Sequence, residues 1–125
     1  RVLIAEDNDL NREIATFILK EAGIEVVEAI DGQQAVSLFK KKPAYYFDAV
    51  LMDVMMPLMD GYEATRAIRA CGKKDSQSVP IIAMTANAFD DDRRKSKEAG
   101  MDEHLSKPLE SEALLCTIAE LCAAK

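Results

Sequence analysis

Five short runs, each closed by polar residues and each followed by a segment of helical character, restrict this 125-residue chain to very few folds. The clearest run is Ala49-Val50-Leu51-Met52-Asp53, with Pro57 four positions further on. An unbroken apolar run that meets a turn signal reads as a strand buried on both faces. Proline has no N–H to give to a ladder, so the strand ends before Pro57 and Asp53 stands at its carboxyl end. Val2-Leu3-Ile4-Ala5 is a second such run, closed by Glu6-Asp7-Asn8-Asp9. Val79 to Met84 is a third, with Pro80 tolerable only at its beginning and Thr85-Ala86-Asn87 directly after it. Two weaker runs complete the set. Glu25 to Ala29 has charged neighbours that suit a sheet edge, and the very short Glu103 to Ser106 leads into Lys107-Pro108. Strands that alternate with helices imply a parallel α/β sheet, right-handed crossovers and helices on both faces.

The segments between the runs carry the helical pattern. Leu10, Ile14, Phe17 and Ile18 recur at i, i+4, i+7 and i+8 and predict an amphipathic helix. Asn8 or Asp9 is placed to cap its start and Gly23 its end. Asp31-Gly32 reads as a turn before a second helix with Ala35, Val36, Leu38 and Phe39, which ends near Lys40-Lys41-Lys42 and Pro43. Asp60-Gly61 reads as another turn, and Tyr62 to Cys71 as a third helix with Ile68 facing inward. Gly72 to Ser78 is polar and loop-like. Phe89 to Ala99 is a highly charged helix closed by Gly100, and Leu114, Ile118, Leu121 and Cys122 form the stripe of a last helix. No repeat or linker divides the chain, so residues 1–125 are expected to form a single domain. The start at Arg1, straight into an apolar run, points to a domain excised from a longer protein.

Composition narrows the function. Nearly half the residues are hydrophobic, enough for a core. No apolar run approaches the roughly 18 residues of a membrane span, and no leader pattern opens the chain. The net charge of −6 argues against nucleic-acid binding by this domain, and membrane contact by it is not expected either. Cys71, Cys116 and Cys122 are odd in number and match no zinc spacing. A reduced, cytoplasmic setting follows, with any membrane anchor elsewhere on the parent chain.

In a parallel sheet all carboxyl ends share one edge, which is where ligands bind in open α/β folds. Glu6, Asp7, Asp53, Thr85 and Lys107 all stand at strand ends and converge there if their strands are neighbours. Three carboxylates in one cleft repel, and one takes a proton unless a cation is bound. With only oxygen donors at hand, the cation is a hard one. Mg²⁺ fits, with Mn²⁺ as the alternative, because it keeps waters and completes its shell with phosphate oxygens. An aspartate beside such an ion and a lysine is disposed to attack phosphorus and form an aspartyl phosphate. That reaction needs mostly positioning and charge neutralisation. The ion and Lys107 would offset charge on two sides of the phosphoryl group, and the Thr85 hydroxyl would donate to a third oxygen.

Taken together, these motifs resemble the receiver domains of bacterial-type two-component response regulators. Ala5-Glu6-Asp7-Asn8, Met52-Asp53-Val54-Met55-Met56-Pro57 with Met59-Asp60-Gly61, Thr85-Ala86 and Lys107-Pro108 occur in the family's order, and the likeness covers essentially the whole chain. The resemblance implies a flavodoxin-like, doubly wound (βα)5 sheet with strand order 2-1-3-4-5. It implies Asp53 as phosphoacceptor, Asp7 as direct metal ligand, Glu6 as a ligand through water, and the Met55 carbonyl as a further ligand. It also implies a cis peptide at Lys107-Pro108. The run Glu6-Asp7-Asn8-Asp9-Leu10-Asn11-Arg12 looks most like receivers of hybrid sensor histidine kinases, which pass phosphate to a histidine-phosphotransfer domain. The implied partners are a histidine kinase and/or such a domain, docking over the Asp53 edge and the first helix near Ile14. The implied activity is self-catalysed phosphotransfer with slow autodephosphorylation. Phosphorylation would draw Thr85 and Lys107 inward and bias the surface of the fourth helix, fifth strand and fifth helix, where Asp90 to Lys95 is a candidate contact.

Two positions depart from or tune that pattern. His104 stands where many receivers carry Tyr or Phe three residues before the lysine, so it is either a switch residue or a half-exposed strand histidine. Met55 and Asn87 flank the acceptor, and an apolar Met55 cannot orient an attacking water, which points to an acyl phosphate that is not especially short-lived. Two rival functions remain. An aspartate-nucleophile phosphatase usually carries a second aspartate two residues after the first, where this chain has Met55. A pseudo-receiver, an interaction module only, generally loses the acceptor, the acidic pair or the lysine, and this chain keeps all of them.

Overall fold

The computed structural model describes residues 1–56, 59–85, 90–106 and 109–123, at 90–93 and 123 by backbone only. Its elements alternate: β1 (Val2–Ala5), α1 (Asp9–Glu21), β2 (Val26–Ala29), α2 (Gly32–Lys41), β3 (Ala49–Asp53), α3 (Gly61–Arg69), β4 (Ile81–Thr85), α4 (Asp90–Ala99), β5 (Glu103–Ser106) and α5 (Ser111–Ala123). The strands pair in parallel in the order β2-β1-β3-β4-β5, the flavodoxin-like order. The charged run at 25–29 does lie on an edge, as β2.

Side chains on successive strand residues point to opposite faces. Leu3, Val50, Met52 and Ile81 pack with Ala35 and Phe39 of α2 and Ala64 and Ile68 of α3. Val2, Ile4, Leu51, Ile82 and Met84 pack on the other face, with Ala15 and Leu19 of α1 and Leu114 and Ile118 of α5. Every residue of β1, β3 and β4 is buried, so these strands are apolar on both faces and read as unbroken runs.

Helix α1 turns differently from its apolar spacing. It buries Ala15, Thr16 and Leu19, whereas Leu10 and Phe17 are 64% and 65% exposed and Ile14 is also exposed. Of the spaced residues, Ile18 packs against the core. Small side chains at 15 and 16 let the helix sit close to the sheet, and the Thr16 hydroxyl donates to Glu28 Oε1 at 3.5 Å. The chain therefore has two apolar stripes here, one inward and one outward. Asn8 is the N-cap, its Oδ1 accepting from the Asn11 N–H at 3.0 Å. Gly23, at φ 80°, takes the left-handed conformation just past the helix. Its N–H donates to Lys20 C=O and that of Ile24 to Leu19 C=O, each at 3.0 Å, which satisfies the last carbonyls.

Asp31 and Asp60, read as turn residues, are helix N-caps. Each accepts from the backbone N–H three residues on, Gln34 at 2.8 Å and Glu63 at 2.9 Å. The 72–78 segment is a loop, but Asp75 and Ser76 within it are buried. The Arg69 side chain ties it down from the end of α3. Its guanidinium donates to the carbonyls of Ser76 (3.2 Å), Val79 (2.7 Å) and Gly100 (2.7 and 3.0 Å), and to Asp102 Oδ2 (2.9 Å). The same Asp102 oxygen accepts from the Ile81 N–H at 2.8 Å.

Gly61 brings the start of α3 onto the end of β3. Its N–H donates to Val54 C=O at 3.0 Å. A Cβ there would run into the Asp53 carbonyl oxygen and lie 2.9 Å from Val54 Cα. Alanine normally improves a helix over glycine by about 1 kcal/mol. At this position the sign reverses: Gly61→Ala is expected to cost about 1–3 kcal/mol through backbone overpacking. A lowered urea midpoint at unchanged slope checks it, and an unchanged or raised midpoint rejects it.

Candidate functional site

Parallel register assembles the site. Ala5 pairs with Met52, so the next residues, Glu6 and Asp53, stand side by side with Asp7 just beyond. Asp53 pairs with Met84, which puts Thr85 one residue further along the same edge. The ladder runs on past the strand ends: Glu6 N–H donates to Ala29 C=O at 3.1 Å and Val54 N–H to Met84 C=O at 3.0 Å. Glu6, Asp7, Asp53 and Thr85 are thus gathered on the carboxyl edge, as the sequence pattern requires.

Carboxylate oxygens of Glu6, Asp7 and Asp53 all lie within 4.8 Å of one another. Glu6 and Asp53 are 1% and 2% exposed, while Asp7 opens to solvent. Charges this close and this dry are costly unless a cation or proton joins them. The Met55 N–H donates to Asp53 Oδ1 at 3.3 Å and helps fix that carboxylate. An all-oxygen donor set with one side open to water fits a hard divalent ion that retains waters, as Mg²⁺ does. Among the described residues this is the one group of three His, Cys, Asp or Glu side chains disposed to hold a metal. The Met55 side chain, 77% exposed, stands at the rim, and Thr85 is buried.

His104 lies elsewhere. It is on β5 opposite Ala83, two residues short of the Thr85–Ser106 pair. Its side chain is 13% exposed, with Nδ1 3.9 Å from Glu103 Oε1. It lines a groove of about 530 Å³ with Arg94, Ser96, Lys97, Met101, Asp102 and Glu103. Lys107, Pro108 and Asn87 lie outside the described residues, as do the side chains of 90–93.

One residue at the site was not singled out from sequence. Arg12, in the first turns of α1, donates from Nη1 to the Glu6 carbonyl at 2.9 Å and from Nη2 to Asp9 Oδ1 at 2.6 Å. Its Nε is 3.3 Å from Glu28 Oε1. The Asp9 hydrogen bond in particular holds the guanidinium pKa above its ordinary value. The sequence signal was the i, i+3 acid–arginine pair Asp9–Arg12 directly after the acidic run. Glu28 becomes its partner only when β2 is laid beside β1.

No helix among the described residues is long and apolar enough to cross a membrane. Comparison with known proteins finds close relatives of the whole chain. The chain is 41% identical over 115 residues to the sensor protein GacS of Pseudomonas syringae pv. syringae, covering 91% of this chain and 12% of GacS. It is 37% identical over 116 residues to hybrid signal transduction histidine kinase I of Dictyostelium discoideum, covering 91% of this chain and 7% of that kinase. The chain therefore spans about a tenth of the length of such relatives. Among solved structures, it superposes with a TM-score of 0.87 on the receiver domain of the sensor histidine kinase PA1611 from Pseudomonas aeruginosa PAO1, crystallised with a magnesium ion coordinated in its active-site cleft. That match is 38% identical and covers 98% of this chain and 96% of the other. It also superposes, at 0.87 and 31% identity over 98% of this chain and 88% of the other, on the receiver domain of Ssk1 from Saccharomyces cerevisiae, in complex with the histidine phosphotransfer signaling protein Ypd1. Residues 2–119 match the family model of the response regulator receiver domain, so this chain belongs to that family of two-component and phosphorelay signalling modules.

Proposed function

We propose that Asp53 accepts a phosphoryl group from a phosphohistidine and that the domain passes it to, or receives it from, a histidine-phosphotransfer partner. The observation that carries this reading is the buried Asp53 carboxylate packed against Glu6 and Asp7 at the end of β3. One Asp53 oxygen forms the new O–P bond as the P–N bond of the donor imidazole breaks. The leaving ring nitrogen keeps the bonding pair and the imidazole takes a proton from water. Asp7 and Asp53, the Met55 carbonyl, and Glu6 through a water would hold the Mg²⁺. When bound, that ion neutralises charge on the phosphoryl oxygens. Thr85 donates its hydroxyl to the phosphoryl group, and Lys107 is assigned the counter-charge by its motif. The acyl phosphate adds charge that draws both side chains toward it and biases the α4–β5–α5 surface, where His104 lies.

We read residues 1–125 as a single receiver module of a longer protein, in keeping with the small share of its kinase relatives that it spans. Leu10, Ile14 and Phe17 of α1 are exposed, and Phe17 lines a groove of about 500 Å³ with Ile18, Glu21, Ala22, Leu109, Ser111 and Leu115. These exposed apolar residues of α1 suit a helical phosphotransfer partner, as the likeness to the Ssk1 receiver that binds Ypd1 suggests.

Intact mass after incubation with acetyl phosphate and Mg²⁺ tests the acceptor. One added phosphate is expected on wild type, and none on Asp53→Asn or with EDTA. If wild type neither gains mass nor binds beryllofluoride, the domain is an interaction module, and steady phosphate release would make it a phosphatase instead. Met55→Asn is expected to shorten the lifetime of the labelled protein several-fold, and an unchanged decay rejects the argument from side-chain polarity. Phe17→Ala should slow exchange with a phosphotransfer probe such as Ypd1 by about tenfold or more, leaving acetyl phosphate labelling as in wild type. Equal exchange rates would place docking elsewhere.

A further inference from the structure

We propose that Arg12 is a positioning residue that locks the peptide plane between Glu6 and Asp7, and so aims two of the three acidic side chains of the site. The inference rests on the receiver reading above and adds a residue to it. A peptide unit is planar, so the Glu6 carbonyl and the Asp7 N–H turn together. A donor fixed on that carbonyl oxygen therefore fixes the direction in which both side chains leave the backbone. The donor is the Arg12 Nη1–H, at 2.9 Å. It is itself anchored twice, by Asp9 at 2.6 Å on its own helix and by Glu28 at 3.3 Å on β2. Glu28 Oε1 also accepts from the Thr16 hydroxyl at 3.5 Å. On the other side, the Glu6 N–H is held by Ala29 C=O at 3.1 Å. One guanidinium thus joins the end of β1, the start of α1 and the edge strand β2. Only a planar fork makes these contacts at once, and a lysine ammonium on its flexible stem does not reproduce them.

A cation near three carboxylates can also act through space, and the two roles have opposite signs. If Arg12 only relieved repulsion it would compete with a bound cation, and its removal would tighten Mg²⁺ binding. If it holds the ligands in place, its removal weakens binding, and losing a group that orients metal ligands commonly costs 10- to 100-fold in affinity.

The test is calorimetric titration of Mg²⁺ into wild type, Arg12→Met, Arg12→Lys and Glu28→Ala in about 0.5 M KCl, where through-space effects are screened. Labelling by acetyl phosphate as a function of Mg²⁺ concentration and thermal unfolding in EDTA accompany it. The expected result is a Mg²⁺ Kd raised about tenfold in Arg12→Met and less in the other two. The Mg²⁺ concentration that half-saturates labelling should rise by the same factor as the Kd, and a cooperative unfolding transition should persist, because the group aims the ligands and does not hold the core together. Equal or tighter binding by a folded Arg12→Met overturns the proposal. Should that variant not fold, Glu28→Ala decides, since an unchanged Kd after loss of an anchor overturns it equally. Wild type that binds no Mg²⁺ overturns the receiver-site reading and the positioning role together, whereas wild-type binding with a failed Arg12 series leaves that reading standing.

Discussion

Like-charge crowding at one edge of the sheet is the constraint around which the molecule is arranged. Glu6 and Asp53 are side by side because β1 and β3 are adjacent, parallel and in register, and both are almost wholly removed from water. Two carboxylates within 4.8 Å repel by roughly 3 kcal/mol at an effective dielectric near 20, with less added by the solvent-facing Asp7. The sheet tolerates it because both faces of β1 and β3 are packed into apolar clusters that hold the strands in place. A site built this way favours any ligand that brings positive charge, and so couples occupancy to the local order of the edge.

The parts of this design that were legible in the sequence are those set by chain direction alone. A strand covered on both faces has to be apolar throughout, so a charge such as Asp53 or Glu6 marks where it ends, and parallel pairing then puts every such end on one edge. Even the short Glu103–Ser106 run was recognisable from its place in the alternation. What was not legible depends on contacts between distant segments. The spacing of Leu10, Ile14, Phe17 and Ile18 announces a helix but not which side faces the sheet, and Ala15, Thr16 and Leu19 take that side. The part Arg12 plays is hidden for the same reason, since Glu6, Asp9 and Glu28 meet it only through the fold. Asp31 and Asp60 look like turn residues because the chemistry of a turn and of a helix cap is the same: a short carboxylate accepting a nearby backbone N–H.

The two apolar stripes of α1 divide its labour. The inner one, built from small residues, brings the helix close enough for Arg12 to reach the Glu6 carbonyl. The outer one leaves Leu10 and Phe17 in water. One helix, whose start is fixed by Asn8, thus carries apolar residues on two opposite sides. The same economy holds at α3, where the missing side chain of Gly61 lets a helix start bear directly on the backbone of Asp53.

Arg69 sets a mechanical rule for the other half of the molecule. Its guanidinium grips the Gly100 carbonyl just past α4 and, through Asp102, the start of β4. Gly100 is at φ 102°, and a Cβ there would lie 3.2 Å from Arg69 Cγ, so the grip leaves little slack. Any movement of α4 that keeps these bonds must swing about its C-terminal end. The helix then behaves as a lever with a fixed fulcrum at Gly100, and its displacement is largest at the end that follows Thr85.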